Sequence, residues 1–294
     1  MKLLCAVDGS KHSRWALEAL QRWSFPQGSR LVLVHVLDTT KLRAPKGLGE
    51  AARGAMKRAA SLAREIGKDM LKRVGTKLLA RWKTVERRIV RGHPAETIVR
   101  PAARQKTDLI VMGSRGQTDI RVFLLGSVSR KVVMHADCPV LLIKKPVPMP
   151  RRIVVGMDGS KDAKAALDFF LQMPVPPAAR FTVVTVVPPL PIETSPVQVT
   201  LSEFLGQLRV PLLKKAQAVA REAVERLQRV GFAAKPAVVH GNPSHEIVKV
   251  AEGDHADLVL VGSRGLTGTS RFLMGSVSDG VIKYAPCAVL VFRR

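Results

Sequence analysis

The chain has 294 residues but only three cysteines, one tyrosine and 4% aromatic residues, and it sets 23 acidic side chains against 48 lysines and arginines. Each shortage excludes something. Three cysteines cannot all pair, and Cys138 and Cys287 fall at equivalent places in an internal repeat, so buried structural thiols in a reducing compartment are expected in place of a disulfide framework, a metal site or a nucleophile. No apolar run approaches the ~20 residues that a membrane span requires. The opening Met1-Lys2-Leu3-Leu4-Cys5-Ala6-Val7 has the flavour of a signal peptide, but Asp8 and Gly9 interrupt it and the same pattern returns at Arg152 to Ser160. It reads as a strand, and a cytoplasmic protein is expected. His240 and His245 stand across a turn without a third ligand at metal spacing. The common phosphate-loop signatures are missing too. The Walker pattern needs a lysine directly after its last glycine, and the dinucleotide fingerprint packs three glycines into six residues near a first strand.

What is present is one stretch written twice. Met112 leads into Gly113-Ser114-Arg115-Gly116, nine residues, then Gly126-Ser127-Val128-Ser129; Val261 leads into Gly262-Ser263-Arg264-Gly265, nine residues, then Gly275-Ser276-Val277-Ser278. Before each first glycine runs a continuously apolar segment, as expected of a parallel strand covered on both faces. After the third glycine the apolar spacing turns helical. Strand, glycine-rich loop and helix start together make an anion site: glycine lets backbone approach a ligand, the first helical N–H groups lack partners, and the helix dipole favours negative charge. A phosphate group is the natural guest.

In chain order, Lys2 to Val7 is a first strand ending in Asp8-Gly9-Ser10, with a twin at Asp158-Gly159-Ser160. An aspartate there can cap the next helix or hydrogen-bond a ligand hydroxyl. Trp15, Ala16, Ala19, Leu20 and Trp23 mark a helix, and Leu31 to Leu37 a second strand whose His35 is read as a satisfied core histidine. A long basic helix is expected from Gly49 to about Val74, with its counterpart from about Leu201 to Val230 after a proline-rich loop at Pro188 to Pro196 that reads as a rigid connector or a gate. Third strands at Thr84 to Arg91 and Lys235 to His240, helix starts after Gly92 and Gly241, and fifth strands after Cys138 and Cys287 complete each half. The expected fold is α/β: two tandem Rossmann-like domains, each a five-stranded parallel sheet of order 3-2-1-4-5 with helices on both faces, over residues 1–145 and 152–294, joined by a proline-rich linker at 146–151.

The spacing Gly-x2-Gly-x9-Gly-Ser, with a strand-one aspartate in each half, resembles the ATP-binding branch of the universal stress protein family, over essentially the whole chain. The resemblance implies an adenine-nucleotide-binding fold of the nucleotide α-hydrolase type and ATP, ADP or AMP as ligand, with Mg. In the first half it assigns Asp8 and Gly113 to ribose, Val36 and Met112 to the adenine region, and Gly116, Gly126, Ser127, Val128 and Ser129 to phosphate. In the second it assigns Asp158, Val186, Val261, Gly262, Gly265, Gly275, Ser276, Val277 and Ser278 in the same order. Arg115 and Arg264 sit inside the loops, facing either phosphate or solvent. Arg130 becomes Asp279 in the second copy, which puts a negative charge near the second phosphate site and predicts tighter binding at the first. The resemblance further implies that the two halves pair through their fifth strands as a pseudo-dimer, with a homodimer of whole chains left open. The function it implies is a stress-response sensor or switch driven by nucleotide. The alternatives are a slow ATP hydrolase, although no Ser-His-Asp order, glutamate base or metal triad stands near the loops, and a basic scaffold for nucleic acid or acidic partners.

The charge is unevenly shared. Up to Pro150 there are 30 Lys+Arg against 11 Asp+Glu, or +19; the remainder has 18 against 12, or +6, of the total +25. The excess gathers between Lys41 and Arg91. A surface for nucleic acid is one reading and a solvated basic helix the other; the second is favoured because Trp82 is the sole aromatic residue in that stretch.

Overall fold

The computed structural model describes residues 1–38, 50–116, 125–189, 198–266 and 274–293, the side chains of 198–208 excepted. The chain divides into two compact units, Met1–Met149 and Pro150–Phe292. The first runs β1 (Lys2–Ala6), α1 (Lys11–Arg22), β2 (Arg30–Asp38), α2 (Glu50–Leu79), β3 (Val85–Gly92), α3 (Pro94–Arg104), β4 (Leu109–Gly113), α4 (Ser127–His135) and β5 (Val140–Ile143). The second repeats it as β6 (Arg152–Gly156), α5 (Lys161–Leu171), β7 (Arg180–Val187), α6 (Gln198–Arg229), β8 (Ala233–His240), α7 (Pro243–Gly253), β9 (Leu258–Gly262), α8 (Ser276–Tyr284) and β10 (Ala288–Phe292).

All strand pairs within a unit are parallel, in the order β3-β2-β1-β4-β5 and β8-β7-β6-β9-β10. This is the expected 3-2-1-4-5 order. The central strands are apolar along their length because helices cover both faces: β4 and β5 are buried at every residue, and Leu3, Leu33, Ile110, Val155 and Leu260 have at most 1% exposure. Both first helices are capped by a serine. Ser10 Oγ accepts from Ser13 N at 3.1 Å and Ser160 Oγ from Ala163 N at 3.2 Å, which satisfies one of the orphan donors of each helix start.

The first long helix ends further on than the periodicity suggests, while α6 ends at Arg229, within a residue of the expected Val230. α2 continues from Val74 to Leu79 because Gly75 and Leu78 keep its inner face on the sheet; Gly75 leaves room for the Arg87 side chain, whose Cδ would lie 3.0 Å from a Cβ at that position. All four residues of α2 that are buried lie from Gly67 onward, so its first four turns, with Arg53, Lys57, Arg58 and Arg64, carry their charge on a helix that buries nothing fully. Trp82 is 4% exposed and donates from Nε1 to the Leu20 carbonyl at 3.0 Å. The one aromatic ring of the basic stretch therefore belongs to the core and presents no face for a base to stack on. Most of the proline-rich segment at Pro188 to Pro196 lies outside the described residues.

Cys5, Cys138 and Cys287 are all free thiols and all buried. Burial pushes the Cys138 thiol up to about 12, with the Asp137 and Asp108 carboxylates adding to the effect, and burial likewise raises Cys5. A thiol held protonated cannot attack. The folded protein at pH 8 should leave these cysteines unmodified by an aromatic disulfide reagent over the time in which urea-unfolded protein reacts fully; fast labelling of Cys138 in the folded state would contradict the buried placement.

Candidate functional site

The order of strands puts β1 beside β4, in register from Leu3 opposite Leu109 to Ala6 opposite Met112, so both carboxyl ends open at one level. β2 stops on the other side of β1 and β5 on the other side of β4, and the crevice lies where the direction of strand order reverses. Asp8 and the glycine loop meet there across 105 residues of sequence. β6 and β9 repeat the arrangement, with Ile153 opposite Leu258 and Val155 opposite Leu260.

Two close approaches shape each crevice. A Cβ on Gly113 would stand 2.5 Å from the His12 carbonyl carbon, and one on Gly262 would stand 2.7 Å from the Ala163 nitrogen, because the end of the fourth strand lies against the first turn of the first helix. A Cβ on Gly116 would stand 2.9 Å from Asp8 Oδ2, and one on Gly265 would stand 2.8 Å from Asp158 Oδ2. Only glycine lets the loop backbone pass this close to the carboxylate. The aspartate is itself fixed by an Asx turn: Oδ1 accepts from the backbone N of Ser10 at 2.9 Å, and in the second unit from Ser160 at 2.9 Å, around Gly9 and Gly159 at φ 81° and 85°. Ser10 Oγ also donates to the Arg115 carbonyl at 3.3 Å, and Ser160 Oγ to that of Arg264 at 3.4 Å. One serine thus caps a helix and holds the loop.

A cavity of about 350 Å³ opens in each unit. Asp8, Val36, Met112, Gly113, Arg115, Gly116, Val128 and Ser129 line the first, and Asp158, Val186, Val261, Gly262, Arg264, Gly265, Val277 and Ser278 the second. Sixteen of the twenty residues named from the sequence are therefore gathered into two cavities. Gly126, Ser127, Gly275 and Ser276 stand just beyond, at the helix starts: Gly126 N donates to the Ser114 carbonyl at 2.9 Å and Gly275 N to that of Ser263 at 2.9 Å, while Ser127 and Ser276 are exposed. Ser129 and Ser278 use their hydroxyls internally, donating to the carbonyls of Gly113 at 2.9 Å and Gly262 at 2.6 Å. What these two residues offer an anion is main-chain N–H. The helices begin after Gly126 and Gly275, which as glycines supply no side-chain cap to the first N–H groups.

Several lining residues carry no motif signal. His35 lines the first cavity with Nδ1 2.7 Å from the Val7 carbonyl, a satisfied histidine at the wall and not in the deep core. Asp38 and Ile98 are among the other residues lining that cavity, and Thr185, Pro188, Lys215, Val219 and Ile247 among those lining the second. Asp162 was also missed: it accepts from Arg264 Nε at 3.0 Å and Nη2 at 3.3 Å and from Ser263 Oγ at 3.0 Å. Its counterpart is His12, and only aligning the two halves residue by residue would have drawn attention to it.

Fold and site together define a doubly wound α/β protein carrying two copies of a carboxylate-and-glycine-loop cavity at the switch point of its strand order. The family model of the universal stress proteins matches residues 1–144 and 149–293, and the chain belongs to that family as a tandem of two such domains. Universal stress proteins of Methanocaldococcus jannaschii and Thermus aquaticus are 33% and 34% identical to it over 146 and 143 residues, covering 49% and 48% of this chain and 82% and 97% of theirs. A solved universal stress protein from Archaeoglobus fulgidus superposes over 100% of this chain and 98% of its own with a TM-score of 0.68 at 23% identity, a likeness of fold.

The close approach at the end of β4 makes a direct test of the geometry. Gly113→Ala should lower the unfolding free energy of the first unit by about 2 kcal/mol, because the new methyl meets main chain that cannot rotate away. Denaturant unfolding of the full chain measures it, and wild-type stability would mean that α1 and β4 are not packed this closely.

Proposed function

We propose that each cavity is an adenine-nucleotide site, that the first takes ATP with its Mg, and that the protein is a nucleotide-dependent switch in the stress response. The observation that carries this reading is the passage of the second loop glycine beside the strand-one aspartate in both units, so close that a Cβ on Gly116 or Gly265 would stand 2.9 or 2.8 Å from the carboxylate. Loop backbone brought against a fixed carboxylate sets main-chain N–H groups and a hydroxyl acceptor side by side, the two needs of a phosphorylated sugar. The apolar side chains of Val36, Ile98 and Met112 supply the wall a base requires, and about 350 Å³ lies within the range of small-molecule sites. Membership of the universal stress protein family supports the same conclusion. Main-chain donors and an orienting carboxylate hold a nucleotide without activating water. The signal is then the exchange of bound nucleotide, read through the loop that the phosphates would hold.

Protein purified without added nucleotide and then denatured should release one or two adenine nucleotides per chain, and the emptied protein should bind Mg-ATP in calorimetric titration. Gly116→Val should weaken the first site at least about tenfold, since the new side chain displaces Asp8. A folded protein that neither retains nucleotide nor gives binding heat would end the proposal.

A further inference from the structure

The two cavities share a frame but not a rim, and we infer that they take differently charged ligands: the first a nucleoside polyphosphate, the second an adenine nucleoside or its monophosphate. This rests on the adenine-nucleotide reading above. Four aligned positions carry the argument. At the loop end of the second cavity Asp162 replaces His12, and its carboxylate holds the Arg264 guanidinium through two N–H···O bonds of 3.0 and 3.3 Å, with both side chains mostly buried. The cation the loop would offer to a phosphate chain is already matched by an anion. Asp279 replaces Arg130 in the first turn of the following helix, where a carboxylate answers the positive end of the helix dipole and repels further negative charge. α4, by contrast, has no acid in its first turn and carries Arg130 there, a placement that disfavours the bare helix and suits a bound polyanion.

The base end differs in the opposite sense. Asp38 lines the first cavity, and Pro188 takes its place in the second. Leu212, Lys215, Ala216 and Val219, one face of α6, line the second cavity; from α2, Ala63 lines the first, while Ile66, Gly67, Met70 and Arg73 line an adjoining space that Asp8 and His35 also border. Lys215 brings one ammonium to this second cavity. Within this apolar wall Thr185, the counterpart of His35, is 5% exposed and its Oγ1 has no hydrogen-bond partner. A buried hydroxyl without a partner is costly, and a polar edge of the ligand relieves it. His35 has no such need, being bonded to Val7. With a polyphosphate in one cavity and a monophosphate in the other, the occupancy of a single chain follows the ratio of the two nucleotides in the cell.

The full chain, emptied of nucleotide, is titrated with Mg-ATP and then with AMP. One equivalent of ATP should bind, lost in Gly116→Val, and the ATP-loaded chain should accept one equivalent of AMP. Asp279→Arg should strengthen ATP binding at the second cavity at least about tenfold, raising the ATP stoichiometry to two. Thr185→Val, nearly isosteric, should weaken AMP binding about fivefold while the unliganded protein melts no lower than wild type, since it loses only an unsatisfied hydroxyl. Two ATP sites of equal affinity in the wild type, failure of the ATP-loaded chain to bind AMP, or a Thr185→Val variant with unchanged AMP affinity would each overturn the inference and leave the ATP site of the first unit standing. A chain that binds neither ATP nor AMP removes both readings.

Discussion

Everything in the site depends on one steric fact: the loop leaving the fourth strand runs so near the carboxylate ending the first that no side chain fits between them. Parallel pairing of the two strands, in register to their carboxyl ends, forces the meeting. The Asx turn at Asp8 fixes the carboxylate, Ser10 holds both the α1 start and the Arg115 carbonyl, and Gly113 lets α1 settle against β4. These contacts are mutually dependent. If the Asp8 carboxylate moved, the loop would lose the surface it passes over; if Ser10 lost its hydroxyl, helix cap and loop tether would go together. That each contact recurs in the second unit within a few tenths of an ångström means that two sequences, divergent elsewhere, satisfy one geometric condition.

This also explains what could be read from the residues alone. Glycines whose spacing is set by a steric condition recur at fixed intervals, and an aspartate needed at a strand end recurs before Gly-Ser, so frame and motif residues were legible. Strands buried on both faces announce themselves by unbroken apolar runs such as Leu109 to Met112. Other features left no local trace. The end of α2 depends on Gly75 lying against Arg87, a contact with a residue twelve positions away on a strand. The inward hydrogen bonds of Ser129 and Ser278 could not be told from ligand-facing ones, because a hydroxyl near a helix start can turn either way. His35 illustrates the same limit. Its place in an apolar strand correctly suggested a satisfied ring, and its position on the cavity wall depends on where β2 ends relative to β1.

The basic excess follows different rules from the site. Sheet edges within the units are guarded by different means: β3 carries Arg87, Arg88 and Arg91, whereas β8 has Lys235 and Pro236. Charge and proline both discourage pairing with a stray strand. On α2, basic side chains crowd a segment whose inner face buries nothing until Gly67, so they are not compensating for core position and their number is unconstrained by packing. The neighbouring ion pairs are local and exposed, as with Lys68 and Glu65, and each contributes little to stability. Charge of this kind sets solubility and the long-range field of the first unit, and leaves the arrangement of the crevice untouched.

Duplication separates the two demands on a binding site. The frame residues, glycines and aspartate, answer to the fold as much as to a ligand, and a change there costs stability in the unit that bears it. The rim residues lie outside that frame. Asp162 can replace His12, Asp279 Arg130 and Pro188 Asp38 without disturbing strand register or helix caps, as the nearly identical Asx turns of 2.9 Å show. Divergence after duplication is therefore expected at the rim, where it alters what is bound before it alters whether the domain folds. The position that breaks this division is Thr185. Its hydroxyl is buried without a partner, whereas that of Thr182 on the same strand donates to Asp254, so the Thr185 hydroxyl costs the fold and returns nothing to it. On the reading proposed for the second cavity, the ligand of the cavity it lines is what would offset that cost.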